Sequence, residues 1–230
     1  VVTPQEDIDA VLGDMRTSKA NDFSKIQGRF KTRLSLSSAN VDEVIQERLL
    51  AKRAEVVGDL ESLFHAKGDI LRHQPTFTNC SMTFRQHRNV DDFVNHYPFV
   101  PYQFQLVQRI FEAIRKAGAT GLHLSRGEHS ILDAFQLAGK RVANKDIGIL
   151  VPLYDFHPSI ESFLDTAVKR TIDQAADNPS LEPLDVQLLQ VLFLIRYVDE
   201  MKGNVDNLVT LCLDTNEERD INQEIKTVKR

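Results

Sequence analysis

The chain has 230 residues, enough for one large or two small domains with real cores, and its 42% hydrophobic and 27% charged content is that of an ordinary globular protein. The net charge of −5 argues against a wholly basic nucleic-acid coat, and the longest wholly apolar run, residues 191–195, is far too short to span a bilayer, so no membrane partner is expected. Cys80 and Cys212 lie far apart without a C-x-x-C partner, which fits a reducing cytoplasm rather than a disulfide framework.

The charge is uneven. Residues 16–53 carry nine Lys/Arg against four Asp/Glu, a balance of +5, whereas residues 155–230 carry eight against fifteen, a balance of −7. A polyanion is therefore expected near the N-terminal third.

In chain order, Val1, Val2 and Thr3 read as the end of a buried strand, and the start in an apolar run without methionine reads as an internal piece of a longer protein. Pro4 breaks the strand. Residues 5–15 then place Ile8, Val11, Leu12 and Met15 on one helical face. A glycine-bearing basic turn leads to Arg29-Phe30 and to residues 32–36, where Leu34 and Leu36 alternate with Arg33 and Ser35 in the period of a half-buried strand.

The rest reads as mainly α. Asn40 or Asp42 can cap a helix running to about Arg53, with Val41, Ile45 and Leu49 inward. A second helix, about 54–67, spaces Val57, Leu60 and Phe64 on one face, with Gly68 as its stop. Residues 71–95 suggest an extended crossing, ending in a short helical turn that starts at Asp91-Asp92. Pro98 and Pro101 then force an extended path, and Pro101 can open a helix over 102–116 striped with Phe104, Val107, Phe111 and Ile114. Ser125 and Glu128 have the spacing of a capping box for a helix to Ala143 that buries Ile131, Leu132, Phe135, Ala138 and Val142. Residues 147–153 are either a strand or a buried connector. An amphipathic helix follows His157-Pro158 to about Ala176, and residues 179–183 form a turn. Residues 184–201 are apolar nearly all round and predict a central buried helix closed by Gly203, with Asn204 or Asp206 starting another through Leu213.

The motifs for complete catalysis are missing. There is no G-x-x-x-x-G-K-[ST] phosphate loop, no G-x-G-x-x-G and no G-x-S-x-G elbow. The seven histidines are scattered without H-E-x-x-H spacing, so no metal site is expected. The chain alone is not expected to be a complete enzyme.

The order of elements from Val1 to Ala143 resembles the back half of an AAA+ P-loop ATPase. The resemblance implies the end of an AAA+ α/β core over residues 1–38, a helical lid over 39–146, and a helical, winged-helix-like region over 147–230. It makes Thr3 or Gln5 the residue that senses the γ-phosphate, and it makes Arg29 the arginine finger. The chemistry of such a finger is clear: charge builds on the transferred phosphoryl group, and a planar, permanently charged guanidinium from a neighbouring subunit stabilises it. The run Ser125-Arg126-Gly127-Glu128-His129 is similar to the start of a sensor-2 helix. The aligned position is His129, with Arg126 one turn earlier. The plain alternative is that both arginines are solvated surface residues.

Three longer strings narrow the match. SKIQGRFKTRLSLSSANVDEVIQERLLAK, YPFVPYQFQLVQRIFEAIRKAGATGLHLSRGEHSILDAFQ and LDVQLLQVLFLIRYVDEMKGNVDNLVTLCLD resemble the large P-loop ATPase of bacterial BREX phage-defence systems. That resemblance implies a cytoplasmic homo-oligomer that uses ATP with Mg, bound mainly by residues outside this chain. It also implies partnership with other defence proteins and, through the winged-helix-like region, with DNA. The acidity of that region weighs against phosphate contacts. Leu213-Asp214 runs directly into TNEERDINQEIK, where a recognition helix and wing are expected, so a stretch between Asp214 and Thr215 is expected to be missing. The rival readings are a non-catalytic helical scaffold and a DNA-binding adaptor.

Overall fold

A computed structural model of the chain describes residues 41–73, 76–116, 127–163 and 166–215. The helix expected at 5–15, the strand expected at 32–36, the Asn40 cap and the Ser125 capping box lie outside these residues.

The described chain is mainly helical, and no strand occurs among the described residues beyond one antiparallel bridge between Ile149 and Thr215. The principal helices are α1 (Val41–Arg48), α2 (Ala54–His73), α3 (Val90–His96), α4 (Pro101–Lys116), α5 (Gly127–Val142), α6 (Thr166–Ala176), α7 (Pro183–Ile195) and α8 (Val205–Leu211). Between α5 and α6 the chain coils through three single turns, Leu153–Phe156, His157–Ile160 and Glu161–Phe163.

The centre is α4. Pro101 opens it, where its missing N–H costs nothing. Tyr102, Phe104, Leu106, Val107, Ile110, Phe111 and Ile114 are all buried. Phe104 and Phe99 meet Phe135 of α5 at ring-centroid distances of 4.7 and 4.9 Å, and Phe156 meets Phe135 at 5.0 Å. Fully buried Gln103 stitches this centre together: its carbonyl accepts the Val100 N–H at 2.9 Å and its amide donates to the Val151 carbonyl. Residues 149–151 are a connector rather than a strand. Leu150 N–H donates to Asp214 O at 2.9 Å and Val151 N–H to Pro98 O at 3.0 Å.

One apolar cluster runs from Ile45 to Leu213, so residues on both sides of position 146 contribute to a common core. A satellite cluster joins Leu60, Phe64 and Leu71 of α2 to Phe93 and Val94 of α3.

Several helices differ from expectation at their ends; in place of one helix from His157-Pro158 to Ala176 there are the single turns His157–Ile160 and Glu161–Phe163, with α6 beginning at Thr166, and α8 ends at Leu211 rather than Leu213. α1 stops at Arg48 instead of Arg53, closing on Ile45 through the N–H groups of Leu49 and Leu50. α2 passes through Gly68, because Leu71 extends its apolar face against α3. α7 ends at Ile195 rather than Met201, since successive turns there tuck Val198 and Met201 into the core. α7 is also less central than its composition suggests: Leu188, Val191, Leu194 and Ile195 are buried, but Leu192 is 39% exposed. At Gly203 a Cβ atom would come within 2.8 Å of Leu192 Cδ2, so the close return of the chain onto α7 requires glycine there or a shift of that leucine.

Candidate metal-binding cluster

Between the main core and the satellite, residues His87, Asp92 and His96 converge, each buried, with one ligating atom from each lying within 4.8 Å of the others. Asp92 and His96 sit four residues apart, on one face of α3. His87 arrives from the extended segment that precedes the helix.

The sequence builds this junction locally. Asn89 caps α3, its side chain accepting the Asp92 N–H at 2.8 Å. The Asp92 carboxylate turns back to accept the Arg88 N–H at 3.0 Å and the Arg88 guanidinium at 3.2 Å. The pattern is a capping box displaced by one residue. Burial drives the Asp92 carboxyl upward, but the two Arg88 hydrogen bonds and the nearby His96 outweigh it, so the acid is held below its ordinary range and is anionic at neutral pH.

His96 is oriented from both sides. Its Nδ1 lies 2.6 Å from the Asp92 carbonyl, which only accepts, so Nδ1 carries the hydrogen. Nε2 then accepts from the Gln46 side-chain amide of α1 at 3.0 Å. The Asp92 carboxylate is 3.6 Å from Nδ1. Burial lowers the basicity of His96 more than Asp92 raises it.

His87 is different. It is 4% exposed, and neither ring nitrogen has a hydrogen-bond partner. Its ring stands edge-on to Phe93, with centroids 5.2 Å apart, and 6.1 Å from His96. Burial above all, with a contribution from His96, pulls its pKa down to about 3 against the pull of Asp92, so the imidazole is neutral with a free lone pair. An unpaired buried polar group of this kind costs about 1–3 kcal/mol. Two neutral imidazoles and one carboxylate make an N2O donor set, the chemistry that zinc and neighbouring divalent transition metals prefer over the all-oxygen sets suited to magnesium and calcium.

None of the residues singled out from the sequence belongs to this cluster. Thr3, Gln5, Arg29 and Arg126 lie outside the described residues. His129 falls within α5, but its side chain is likewise outside what is described. The string His87-x4-Asp92-x3-His96 matches no familiar zinc motif. Its only advance signal is the Asp92/His96 pair at helical spacing.

No family model matches the chain, and no solved structure matches it.

Proposed function

We propose that this chain is part of an AAA+ P-loop ATPase of a bacterial BREX anti-phage system, in which ATP binding and hydrolysis drive assembly or remodelling of a defence complex. The observation that carries the reading is Arg29-Phe30 placed directly before the alternating run 32–36, inside a long string that resembles the family. A mainly helical body over the described residues suits a lid and the region after it. The pair α7 and α8, with Asn204 capping α8 by accepting the Asn207 N–H, suits the first two helices of a helix-turn-helix unit. On this reading ATP and Mg are held mainly outside the chain. Arg29 reaches the γ-phosphate of a neighbouring copy, and Thr3, Gln5, Arg126 and His129 are the candidates for sensing it.

The acidic balance of residues 155–230 favours a second reading, a helical scaffold that docks proteins rather than DNA. Sedimentation of the intact protein separates the two. The ATPase reading expects assembly that appears with ATP and Mg and is absent without nucleotide. An oligomer whose size ignores nucleotide supports the scaffold. DNA binding that weakens steeply with salt would add an adaptor role.

A further inference from the structure

We propose that His87, Asp92 and His96 form a site for one divalent transition ion of the zinc class, which ties the segment before α3 to α3. Three independent features of the junction point to it. Donor atoms from all three residues lie within 4.8 Å of one another. Ligands around a tetrahedral ion with bonds of about 2.1 Å sit about 3.4 Å apart, so side-chain rotations on the order of an ångström close the gap. His87 is buried with two unpartnered nitrogens, and an ion would give one of them a partner.

Third, the surroundings already hold Asp92 and His96 as outer groups do in metal sites. If His96 binds through Nε2, Nδ1–H keeps its bond to the Asp92 carbonyl. If it binds through Nδ1, Nε2–H is left to donate to the Gln46 amide oxygen after the amide turns over. Either nitrogen therefore leaves the other with a partner. Arg88, the present partner of the carboxylate, has a side chain 74% exposed and can release one oxygen into the site at small cost, because exposed ion pairs are weak. Phe93 and Phe104 wall the two imidazoles, their ring centroids 5.2 and 5.0 Å from those of His87 and His96. These residues supply three ligands of a tetrahedral ion and leave the fourth position for a water. The inference does not depend on the ATPase reading.

The test is a titration of the full chain, stripped with chelator, with cobalt(II) and then with zinc in competition. One equivalent of cobalt should give the strong visible bands of a tetrahedral site, zinc should displace it, and zinc should raise the thermal midpoint above that in chelator. His87→Gln should weaken binding by about a hundredfold or more while helical circular dichroism is retained, and His65→Gln, on the exposed face of α2, should bind as the parent does. Should His87→Gln fail to fold, the titration and melting of the unsubstituted chain still decide. Absence of a stoichiometric cobalt site there, or binding that His87→Gln leaves unchanged, overturns the proposal.

Discussion

Asn207 holds Thr78 by both of its backbone polar groups: the Asn207 side-chain oxygen accepts the Thr78 N–H at 2.8 Å and its amide donates to the Thr78 carbonyl at 3.0 Å. The same amide donates to Lys202 O at 2.8 Å, and Asn207 is fully buried. One side chain on α8 thus does for the strap at residues 76–82 what a neighbouring strand would do. Thr210 reinforces it by donating to Thr76 O at 3.1 Å.

Replacing Asn207 by Leu removes the three hydrogen bonds that its buried side chain makes to the backbone of Thr78 and Lys202. Each is worth about 0.5–1.5 kcal/mol net, so a loss of about 2–4 kcal/mol is expected in urea denaturation. A change below about 0.5 kcal/mol would mean that the strap is not anchored through this residue.

Two glycines should respond to alanine with opposite signs. Gly58 lies on the exposed face inside α2, and a Cβ there meets nothing within 4 Å. Gly58→Ala should stabilise by about 0.5–1 kcal/mol by removing backbone freedom from the unfolded chain. Gly148 has φ of +110° and donates its N–H to the Tyr97 hydroxyl at 3.0 Å. Gly148→Ala should destabilise by about 1–3 kcal/mol through backbone strain alone, since the space around it is open. Thermal melts of the two variants beside the parent check both, and matching signs would contradict the assignment.

His157 should make the fold acid-sensitive. It is 3% exposed and its Nε2 has no partner. Burial first, aided by Lys169, lowers its pKa, while Glu161 and Asp173 oppose the shift. A base depressed in the folded state contributes stability above its unfolded pKa, about 6.5, and loses it as pH falls from there toward the folded value. The slope approaches about 1.4 kcal/mol per pH unit. With chelator present, His157→Gln should therefore lose less stability than the parent between pH 7 and pH 5.5 in urea denaturation. Parallel pH curves for the two proteins would remove His157 as a source of acid lability.

Much of the helical body is legible in the residues. The stripe Phe104, Val107, Phe111 and Ile114 names the buried face of α4, and Ile131, Phe135, Ala138 and Val142 name that of α5, where Leu132, also expected inside, is only partly buried. The prolines at 98 and 101 mark the path into α4, and Phe99 between them is buried in the core. Helix ends are less legible because tertiary contacts decide them. Gly68 is a poor helix former on its own, but Leu71 three residues later has a place against α3. Residues 196–201 are good helix formers by local pattern, but burying Val198 and Met201 bends the chain instead. The His87 cluster was hidden for a related reason. Asp92 and His96 share a face by helical arithmetic alone, but no local rule says that an extended segment returns His87 to them. The importance of Asn207 depends on a contact 129 positions away in sequence.

The phosphoryl-transfer proposal turns on Arg29, and the most direct measurement is ATP hydrolysis by the intact protein with and without Arg29→Ala, with ATP binding and oligomer size followed in parallel. An arginine finger contributes roughly a thousandfold or more to turnover. The expected result is a loss of that order with nucleotide binding and assembly retained, and partial rescue when Arg29→Ala subunits are mixed with subunits that keep the arginine but cannot bind ATP. Unchanged turnover in Arg29→Ala would make Arg29 a surface residue and leave the helical scaffold as the better reading of the chain.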